Sequence, residues 1–189
     1  MFEEIDRYIE KFVALTPEQL TLFHSLLEYK QVKKKTFLLR EGEICNFEAF
    51  IIKGCMRIYY LDEKGDEVII LFPTENWWAS DIASFYEQRP SHIFIETIED
   101  CEILLLNYTN KEKLYRDLPE FERVFRILVQ RSHVVLQQRL FNTVARPAID
   151  RYHDFIEKYP ALVNRIPQHY IASYLGISPE FLSKLRRRK

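Results

Sequence analysis

The sequence contains few of the residues that make flexible junctions or covalent frameworks. Among 189 residues there are only 4 glycines and 3 cysteines. With so little glycine, any junction between domains is expected to be helical rather than flexible. The cysteines (Cys45, Cys55 and Cys101) are odd in number and far apart. This spacing fits neither a disulfide framework nor a zinc or iron–sulfur motif, so we interpret them as buried reduced thiols.

Long apolar runs and catalytic motifs are missing as well. No stretch approaches the roughly 20 apolar residues of a membrane span, and the N-terminus, residues 1–10, is acidic rather than signal-like. We therefore expect a cytoplasmic protein without a membrane partner. No G-x-S-x-G motif occurs, no cysteine lies beside a histidine, and the histidines lack metal-ligand spacing. The sequence thus predicts no enzyme activity, no catalytic residues, no metal and no cofactor.

Charge is nearly balanced overall but unevenly distributed. The net charge is −1, yet the segment from Arg165 to Lys189 contains six basic residues and only one acid, Glu180. Such an asymmetry is typical of a nucleic-acid contact, although basic ends are often only solvated.

Hydrophobic periodicity divides the chain into a helical start, a β region and a helical end. Thr16 and Gln19 form a capping-box pattern around Pro17, which predicts a helix over 17–29. Short alternating segments between 32 and 106 predict a small antiparallel sandwich or roll. The predicted strands are 36–39, 49–53, 56–61, 67–72, 93–98 and 103–106, with a hairpin turn at 62–66. Helices are predicted over 110–118, 119–145 and 148–159.

The long helix carries an apolar repeat. Phe121, Leu128 and Val135 recur every seven residues, and Val124 lies on the same stripe. This pattern favours a dimer coiled coil. The alternative is that the stripe packs on the sheet of its own chain.

Residues 168–185 give the most informative pattern. Ile171 and Leu175 are one turn apart, Gly176 can end a helix in the left-handed conformation, and Ser178 with Pro179 can begin the next. Two short helices joined by a glycine-containing turn predict a helix-turn-helix, and an ordinary helical hairpin is the alternative. The printed sequence stops at Lys189, so no wing is expected after the second helix.

The second helix of this motif would present polar side chains to DNA. We assign Glu180, Ser183 and Lys184 to base reading, because early residues of a recognition helix face base edges. Phosphate contacts are assigned to basic side chains and to amides near Gln168. The predicted DNA-binding set is Gln168, Ser178, Pro179, Glu180, Ser183, Lys184, Arg186, Arg187 and Arg188, with Lys189 as a further phosphate contact.

The β region and the C-terminal motif together resemble the Crp/Fnr family. The resemblance rests on the segments 41–43, 49–54 and 60–67 in the β region and on 171–186 in the motif. It implies an α+β fold with an N-terminal β-roll, a double-stranded β-helix of the cyclic-nucleotide-binding and cupin-like type. A long dimerisation helix and a C-terminal helix-turn-helix domain would follow. We divide the chain into residues 1–118, 119–146 and 147–189 accordingly.

The resemblance also implies partners and an effector pocket. The implied partners are DNA, a second copy of the chain, RNA polymerase at promoters and an unidentified small-molecule effector. The sequence departs from the family where the ligand would bind: Ser80-Asp81 stands in place of the family's Gly-Glu, and Ser91-His92 in place of its phosphate-binding Arg pair. A cyclic phosphate needs a cationic partner, so cAMP binding is not expected. The candidate pocket residues are Trp78, Ser80, Asp81, Ser91, His92, Leu136 and Gln137.

The sequence thus predicts a dimeric regulator that reads a palindromic DNA site. The long helix would couple the pocket to the DNA-reading helices. A cyclic-nucleotide-responsive regulator, a cupin-like small-molecule-binding protein and a signalling module that does not bind DNA are the alternatives. The last would be favoured if the C-terminal helix were buried against the roll.

Overall fold

The computed structural model describes residues 1–187 and has the α+β architecture expected from the sequence. Within these residues the strands are β1 (Glu28–Val32), β2 (Phe37–Leu39), β3 (Phe47–Lys53), β4 (Met56–Leu61), β5 (Glu67–Leu71), β6 (Trp78–Ala79), β7 (Phe94–Thr97) and β8 (Cys101–Asn107). The helices are α1 (Glu3–Ile9), α2 (Pro17–Ser25), α3 (Ile82–Glu87), α4 (Tyr108–Asp117), α5 (Glu120–Ala145), α6 (Ala148–Lys158), α7 (Gln168–Leu175) and α8 (Pro179–Arg187).

The strands form two four-stranded antiparallel sheets that together make the roll. Their orders are β1-β8-β3-β6 and β2-β7-β4-β5. Ile51 pairs with Ile103 in the first sheet, and Ile58 pairs with Ile95 in the second. All four side chains are buried between the sheets, because alternate residues of a strand point to the same face. This interior forms the first hydrophobic core of the molecule.

Helices cover the outer face of each sheet. On the first sheet, α1, α2, α4 and the beginning of α5 bury Phe50 and Leu104 together with Ile5, Phe23 and Phe121. On the second sheet, the C-terminal helices α6, α7 and α8 enclose a third core, whose residues from the roll include Tyr59, Ile69 and Phe72. The C-terminal helices are therefore packed against the roll of their own chain.

Two predicted boundaries near the N-terminus differ from the structure. The capping box at Thr16 is present, and Gln19 N–H donates to its hydroxyl, but the helix predicted over 17–29 ends at Ser25. Residues Glu28–Val32 instead form β1, which pairs with β8 along its whole length. Tertiary pairing overrides the local helical pattern here.

The apolar repeat of α5 packs differently from the predicted coiled coil. Phe121 and Val124 are completely buried against the roll, and Leu128 is partly buried in the same cluster. The predicted seam is therefore wrong over this part, where the own-chain alternative holds. Apolar side chains become exposed only further along. Those that share one face, which we call the exposed stripe, are Val129, Leu136, Leu140 and Val144, with exposed fractions of 50%, 45%, 65% and 79%.

Candidate functional site

The C-terminal motif forms the two crossed helices that the sequence predicts. Gly176 ends α7 with φ +65°, a left-handed conformation that a glycine adopts without a Cβ penalty. Ser178 precedes α8, and its hydroxyl accepts a hydrogen bond from Phe181 N–H at 3.2 Å. Leu182 and Leu185 are buried beside Ile171 of α7. The turn thus fixes α8 with one face anchored and the opposite face free.

The free face of α8 carries most of the residues assigned to DNA. Glu180, Ser183, Lys184, Arg186 and Arg187 are all exposed. The backbone N–H of Glu180 and the hydroxyl of Ser178 lower the pKa of the Glu180 carboxyl, so this side chain is an anionic acceptor at neutral pH. The helix therefore presents one acceptor, one hydroxyl and three cations side by side.

The remaining residues of the predicted DNA set have mixed placements. Ser178 and Pro179 are exposed at the beginning of α8. Gln168 is partly buried at the beginning of α7, and its side-chain amide donates to Val163 O. Arg188 and Lys189 lie outside the described residues.

Helix α7 is attached to strand β5 through one hydroxyl. Ser173 Oγ donates to Glu67 O at 2.6 Å and accepts from Ile69 N–H at 3.0 Å. The side chain thus satisfies two backbone groups on the edge of the second sheet, which is where another strand would otherwise pair. This contact sets the distance between the helix-turn-helix and the roll.

Two arginines, Arg57 and Arg165, reinforce the same junction. The Arg57 guanidinium lies between the rings of Tyr59 and Tyr170, 4.1 and 4.2 Å from their centroids. Burial opposes its charge, but hydrogen bonds to two carboxylates of the roll raise its pKa nonetheless. Arg165 forms paired hydrogen bonds with Glu75 and with Glu99.

Arg139 connects three elements at one point. Its Nη2 donates to Ile69 O of β5 at 2.5 Å and to Tyr174 O of α7 at 3.3 Å. Because Arg139 itself belongs to α5, the long helix, the roll and the helix-turn-helix meet through this one guanidinium. A shift of α5 relative to β5 would therefore disturb hydrogen bonds that also involve α7.

A cavity of about 620 Å³ lies between the roll and α5. This volume falls in the range of small-molecule sites, roughly 300–1,000 Å³. Its wall is mainly apolar, with Trp77 and Trp78 on one side and Phe125, Leu128 and Leu136 of α5 on the other. The cavity also touches Ile70 and Leu71, which belong to β5, the strand that holds α7.

The structure brings four of the seven predicted pocket residues to this cavity and places three elsewhere. Trp78, Ser80, Asp81 and Leu136 line it. Gln137 of α5 and His92 are exposed and do not line it, and neither does Ser91. For these three positions the predicted pocket is corrected.

The residues in place of the cyclic-nucleotide cassette bind each other. Ser91 Oγ donates to Asp81 Oδ2 at 2.7 Å, and Asp81 Oδ1 also accepts from Ser84 N–H at 3.2 Å. A phosphate at this position would meet a carboxylate instead of a guanidinium. Arg89 is exposed and pairs with Glu87. The side chains that occupy the cassette therefore do not fit a cyclic phosphate.

The cysteines and histidines supply no reactive centre to these sites. All three thiols are buried and unpaired. Burial is the main cause that raises the pKa of Cys101 to about 11 and that of Cys55 further, so both remain protonated and poorly nucleophilic. Across residues 1–187 no group of three or more histidine, cysteine or acidic side chains has an arrangement that could hold a metal ion. In the same range, no helix is both long and apolar enough to cross a membrane.

Sequence comparison agrees with the β-roll architecture. Residues 29–117 match the cyclic nucleotide-binding domain family. The cAMP-activated global transcriptional regulator CRP of Salmonella typhimurium is 22% identical over 105 residues, which cover 56% of this chain and 50% of that protein. The CRP proteins of Klebsiella aerogenes and Escherichia coli match equally well. The match thus spans about half the length of these curated relatives.

Solved structures extend the similarity to the whole fold. The c-di-GMP responsive global regulator CLP of Xanthomonas campestris superposes with a TM-score of 0.74 at 15% identity, covering 92% of this chain and 91% of that one. FixK2 of Bradyrhizobium japonicum gives 0.75 at 15% identity, with 86% and 83% covered. A putative regulator of the crp/fnr family from Eubacterium rectale gives 0.71 at 17% identity, with 92% and 83% covered. The chain thus has the fold of these Crp/Fnr-type regulators, and its residues 29–117 match the cyclic nucleotide-binding domain family.

Several residues at these sites were not identified from the sequence. Phe181 is an aromatic side chain, 43% exposed, on the free face of α8. Arg131 lines the cavity, and Arg139 joins the three elements described above. A lone exposed aromatic in an amphipathic helix is a signal that could have identified Phe181, but the other two depend on contacts between distant segments.

Proposed function

We propose that the chain is a DNA-binding transcription regulator that reads a palindromic site as a dimer. The observation that carries this proposal is the exposed polar face of α8, held outward by the buried Leu182 and Leu185. A helix with this exposure fits the major groove of B-DNA, which is wide enough to admit an α-helix. The curated relatives, named as transcription regulators, point to the same class of function.

Within this proposal the residues of α8 have distinct roles. Lys184 donates to guanine O6 or N7, Glu180 accepts from cytosine N4, and Ser183 does either. Phe181 is placed to contact a thymine methyl group. Arg186 and Arg187 neutralise phosphates, which gives affinity without sequence preference.

The partner subunit is assigned to the exposed stripe of α5. Val129 and Leu136 are seven residues apart, and Leu140 and Val144 continue the same face at intervals of four. Val129, Leu136 and Leu140 have the a/d spacing of a coiled-coil seam, with Val144 flanking it, and a second copy of α5 supplies an identical, self-complementary face. Two copies of α8 would then enter successive major grooves about 34 Å apart.

The roll is proposed to be an effector domain that does not bind cAMP. An effector acts only through a difference in its affinity for two states of the protein. Strand β5 lines the cavity with Ile70 and Leu71 and holds α7 through Glu67 and Ile69. Together with Arg139, it offers a direct route from the cavity to the DNA-reading helices.

The alternatives are less well supported. A cyclic-nucleotide-responsive regulator is favoured by the family match of residues 29–117, but Ser91-His92 stand where a phosphate would need a cation, and Ser91 is bonded to Asp81. A signalling module without DNA binding would require α8 to be buried, and its polar face is exposed. A cupin-like binding protein would use histidine and acidic ligands. The absence of enzyme activity, the cytoplasmic placement and a contact with RNA polymerase remain parts of the proposal.

DNA binding is tested by selecting sites from genomic fragments and then measuring affinity against salt. We expect log K to fall linearly with log salt, and Arg187→Ala to reduce the slope by about 2 because a dimer loses two phosphate contacts. The matched control is Arg123→Ala, an exposed arginine at the beginning of α5. Unchanged binding after the double substitution Lys184→Ala/Arg187→Ala would refute the assignment of α8.

The dimer is tested by light scattering of purified variants. Leu140→Lys places two charges in the proposed seam, so we expect a monomer that remains folded. Val134→Lys is the control, because Val134 is 61% exposed but lies about a third of a turn from the exposed stripe. A Leu140→Lys protein that stayed dimeric would place the interface elsewhere.

A further inference from the structure

The polar groups of the cavity divide into those already bonded and those still free. Glu48 pairs with the Lys111 ammonium, and Asp81 is bonded to Ser91 and Ser84. Ser80 Oγ donates to Phe47 O at 2.8 Å. The two carboxylates of the cavity are therefore engaged by protein donors and do not call for a cationic ligand.

One cation at the cavity is not matched by an anion. Arg131 has no carboxylate partner within residues 1–187, and its guanidinium lies 4.9 Å from the centroid of the Phe12 ring. The indole Nε1 of Trp78 also lacks a hydrogen-bond partner among the described residues, but it is buried away from the open space of the cavity. Arg131 is therefore the group that calls for an anionic ligand.

We propose that this cavity binds a lipophilic monocarboxylate, with fatty acids of medium chain length as its simplest members. The alkyl chain lies along the apolar wall, between Trp77 on the roll and Phe125 and Leu128 on α5. The carboxylate accepts hydrogen bonds from the Arg131 guanidinium. The inference rests on the proposed function in one respect only: the ligand is taken to be the effector of that regulator.

The chemistry of the cavity argues against a nucleotide in the same place. A nucleotide brings a phosphate, a ribose and a base edge, each of which needs polar partners in a buried site. The wall offers mainly hydrocarbon and aromatic surface, and one free cation among the described lining residues. A ligand with a single anionic group and an apolar body matches this set.

The test uses the full chain without DNA, with sodium decanoate as the probe and titration calorimetry as the measurement. Decanoate is expected to bind and to raise the thermal midpoint, because a ligand of the native state stabilises it. Octanoate has two fewer methylenes and is expected to bind about fifteenfold more weakly, at about fourfold per methylene. The neutral 1-decanol should bind at least tenfold more weakly than decanoate, and cAMP should not bind.

Variants distinguish specific binding in the cavity from general adsorption of the ligand to apolar surface. Arg131→Gln is expected to remove the preference for decanoate over decanol, because it removes the cation that the carboxylate contacts. Arg126→Gln, an exposed arginine of the same helix that does not line the cavity, is the matched control. No binding of decanoate, equal binding of decanoate by the Arg131→Gln protein, or tight binding of cAMP would each overturn the proposal.

The outcome is independent of the DNA experiment. A protein that binds genomic sites and ignores decanoate would overturn the ligand class and leave the proposed regulator in place. A protein that binds decanoate through Arg131 but ignores DNA would overturn the regulator and leave the ligand class in place.

Discussion

Lys111 and Glu48 form an ion pair whose removal should have a large and pH-dependent effect on stability. Lys111 lies in α4 and Glu48 in β3, and their side chains are only 1% and 5% exposed. The ammonium also lies 3.9 Å from the centroid of the Phe125 ring, at the beginning of α5. The pair therefore joins the first sheet to two helices at the wall of the cavity.

Replacement of Lys111 by methionine keeps most of the apolar stem and removes the charge. Breaking a buried pair by removing one partner typically costs about 3–5 kcal/mol, because the other charge remains buried without compensation. Since methionine retains the packing of the stem, we expect Lys111→Met to lower the free energy of unfolding by about 3 kcal/mol at pH 7. The double variant Lys111→Met/Glu48→Leu removes both charges and should return to within about 1 kcal/mol of the original protein.

The loss of stability caused by Lys111→Met should become smaller as the pH is lowered. Burial raises the pKa of Glu48, and Lys111 opposes that rise. Without Lys111 the pKa rises further, so folded Lys111→Met takes up a proton at a pH where the unfolded chain, with an ordinary glutamate pKa of 4.5, is still ionised. A carboxyl whose pKa is raised on folding contributes stability below its unfolded pKa and loses it as pH rises through the folded value. The difference in the free energy of unfolding between Lys111→Met and the original protein should therefore become smaller between pH 7 and pH 5.

Urea unfolding followed by circular dichroism at pH 7 and pH 5 measures both effects. Lys113→Met, an exposed lysine of the same helix, is the control and should change stability by no more than about 0.5 kcal/mol. The reasoning fails if Lys111→Met costs less than about 1 kcal/mol, if its cost is the same at both pH values, or if the double variant shows no recovery.

Three further changes test the junction and a close backbone contact by the same unfolding measurement. Gly54→Ala should be strongly destabilising, because the φ of Gly54 is +103° and a Cβ there would lie 2.7 Å from a carbonyl oxygen. Gly65→Ala is the control: Gly65 has φ +83° and open space around it, so the substitution should lower the free energy of unfolding by only about 1 kcal/mol. Equal losses of stability in the two variants would contradict this reasoning. Ser173→Ala should cost about 1–2 kcal/mol for two hydrogen bonds to β5, whereas an unchanged midpoint would mean that α7 is held by other contacts. Arg165→Gln should make stability fall less steeply as the pH is lowered. Burial opposes ionisation of Glu75, but the Arg165 hydrogen bonds hold the pKa of Glu75 below 4.5, and the stability that they contribute is lost as the pH falls through that lowered pKa. If the variant loses stability in acid just as the original protein does, the Arg165–Glu75 pair makes no such contribution.

The sequence was most informative where local chemistry decides the structure. The capping box at Thr16 and the left-handed Gly176 were both identified correctly, because each depends on a few neighbouring residues. Strand β4 was predicted with its bounds as observed, since its apolar pattern is strong. Strand β1 was missed because only Val32 of its five residues is buried, so its pattern is that of a solvated segment until β8 pairs with it.

Errors arose where a pattern has two physical solutions. The heptad spacing of Phe121, Leu128 and Val135 describes one face of a helix, and it contains no information about whether that face meets a second chain or the roll of its own chain. The same limit applies to the pocket. The sequence predicts that Ser91 and Asp81 replace cassette residues, but only the fold reveals that they bond to each other.

The placement of β5 explains why the cavity and the helix-turn-helix need not be adjacent to influence each other. Successive residues of a strand face opposite sides of the sheet, so Ile70 contributes to the cavity while Ile69 packs among the C-terminal helices. A ligand that displaces β5 by a fraction of an ångström would move the residues on both faces of this strand together, because the interior is close-packed. The hydrogen bonds of Ser173 and Arg139 to β5 would transmit the displacement, since hydrogen bonds tolerate little change in length. Helix α5 contacts both the cavity and β5, since Leu136 lines the cavity and Arg139 donates a hydrogen bond to Ile69 of β5. We therefore propose that the coupling expected of the long helix is shared between α5 and β5, and that substitutions at Arg139 alter how strongly occupation of the cavity changes the affinity for DNA.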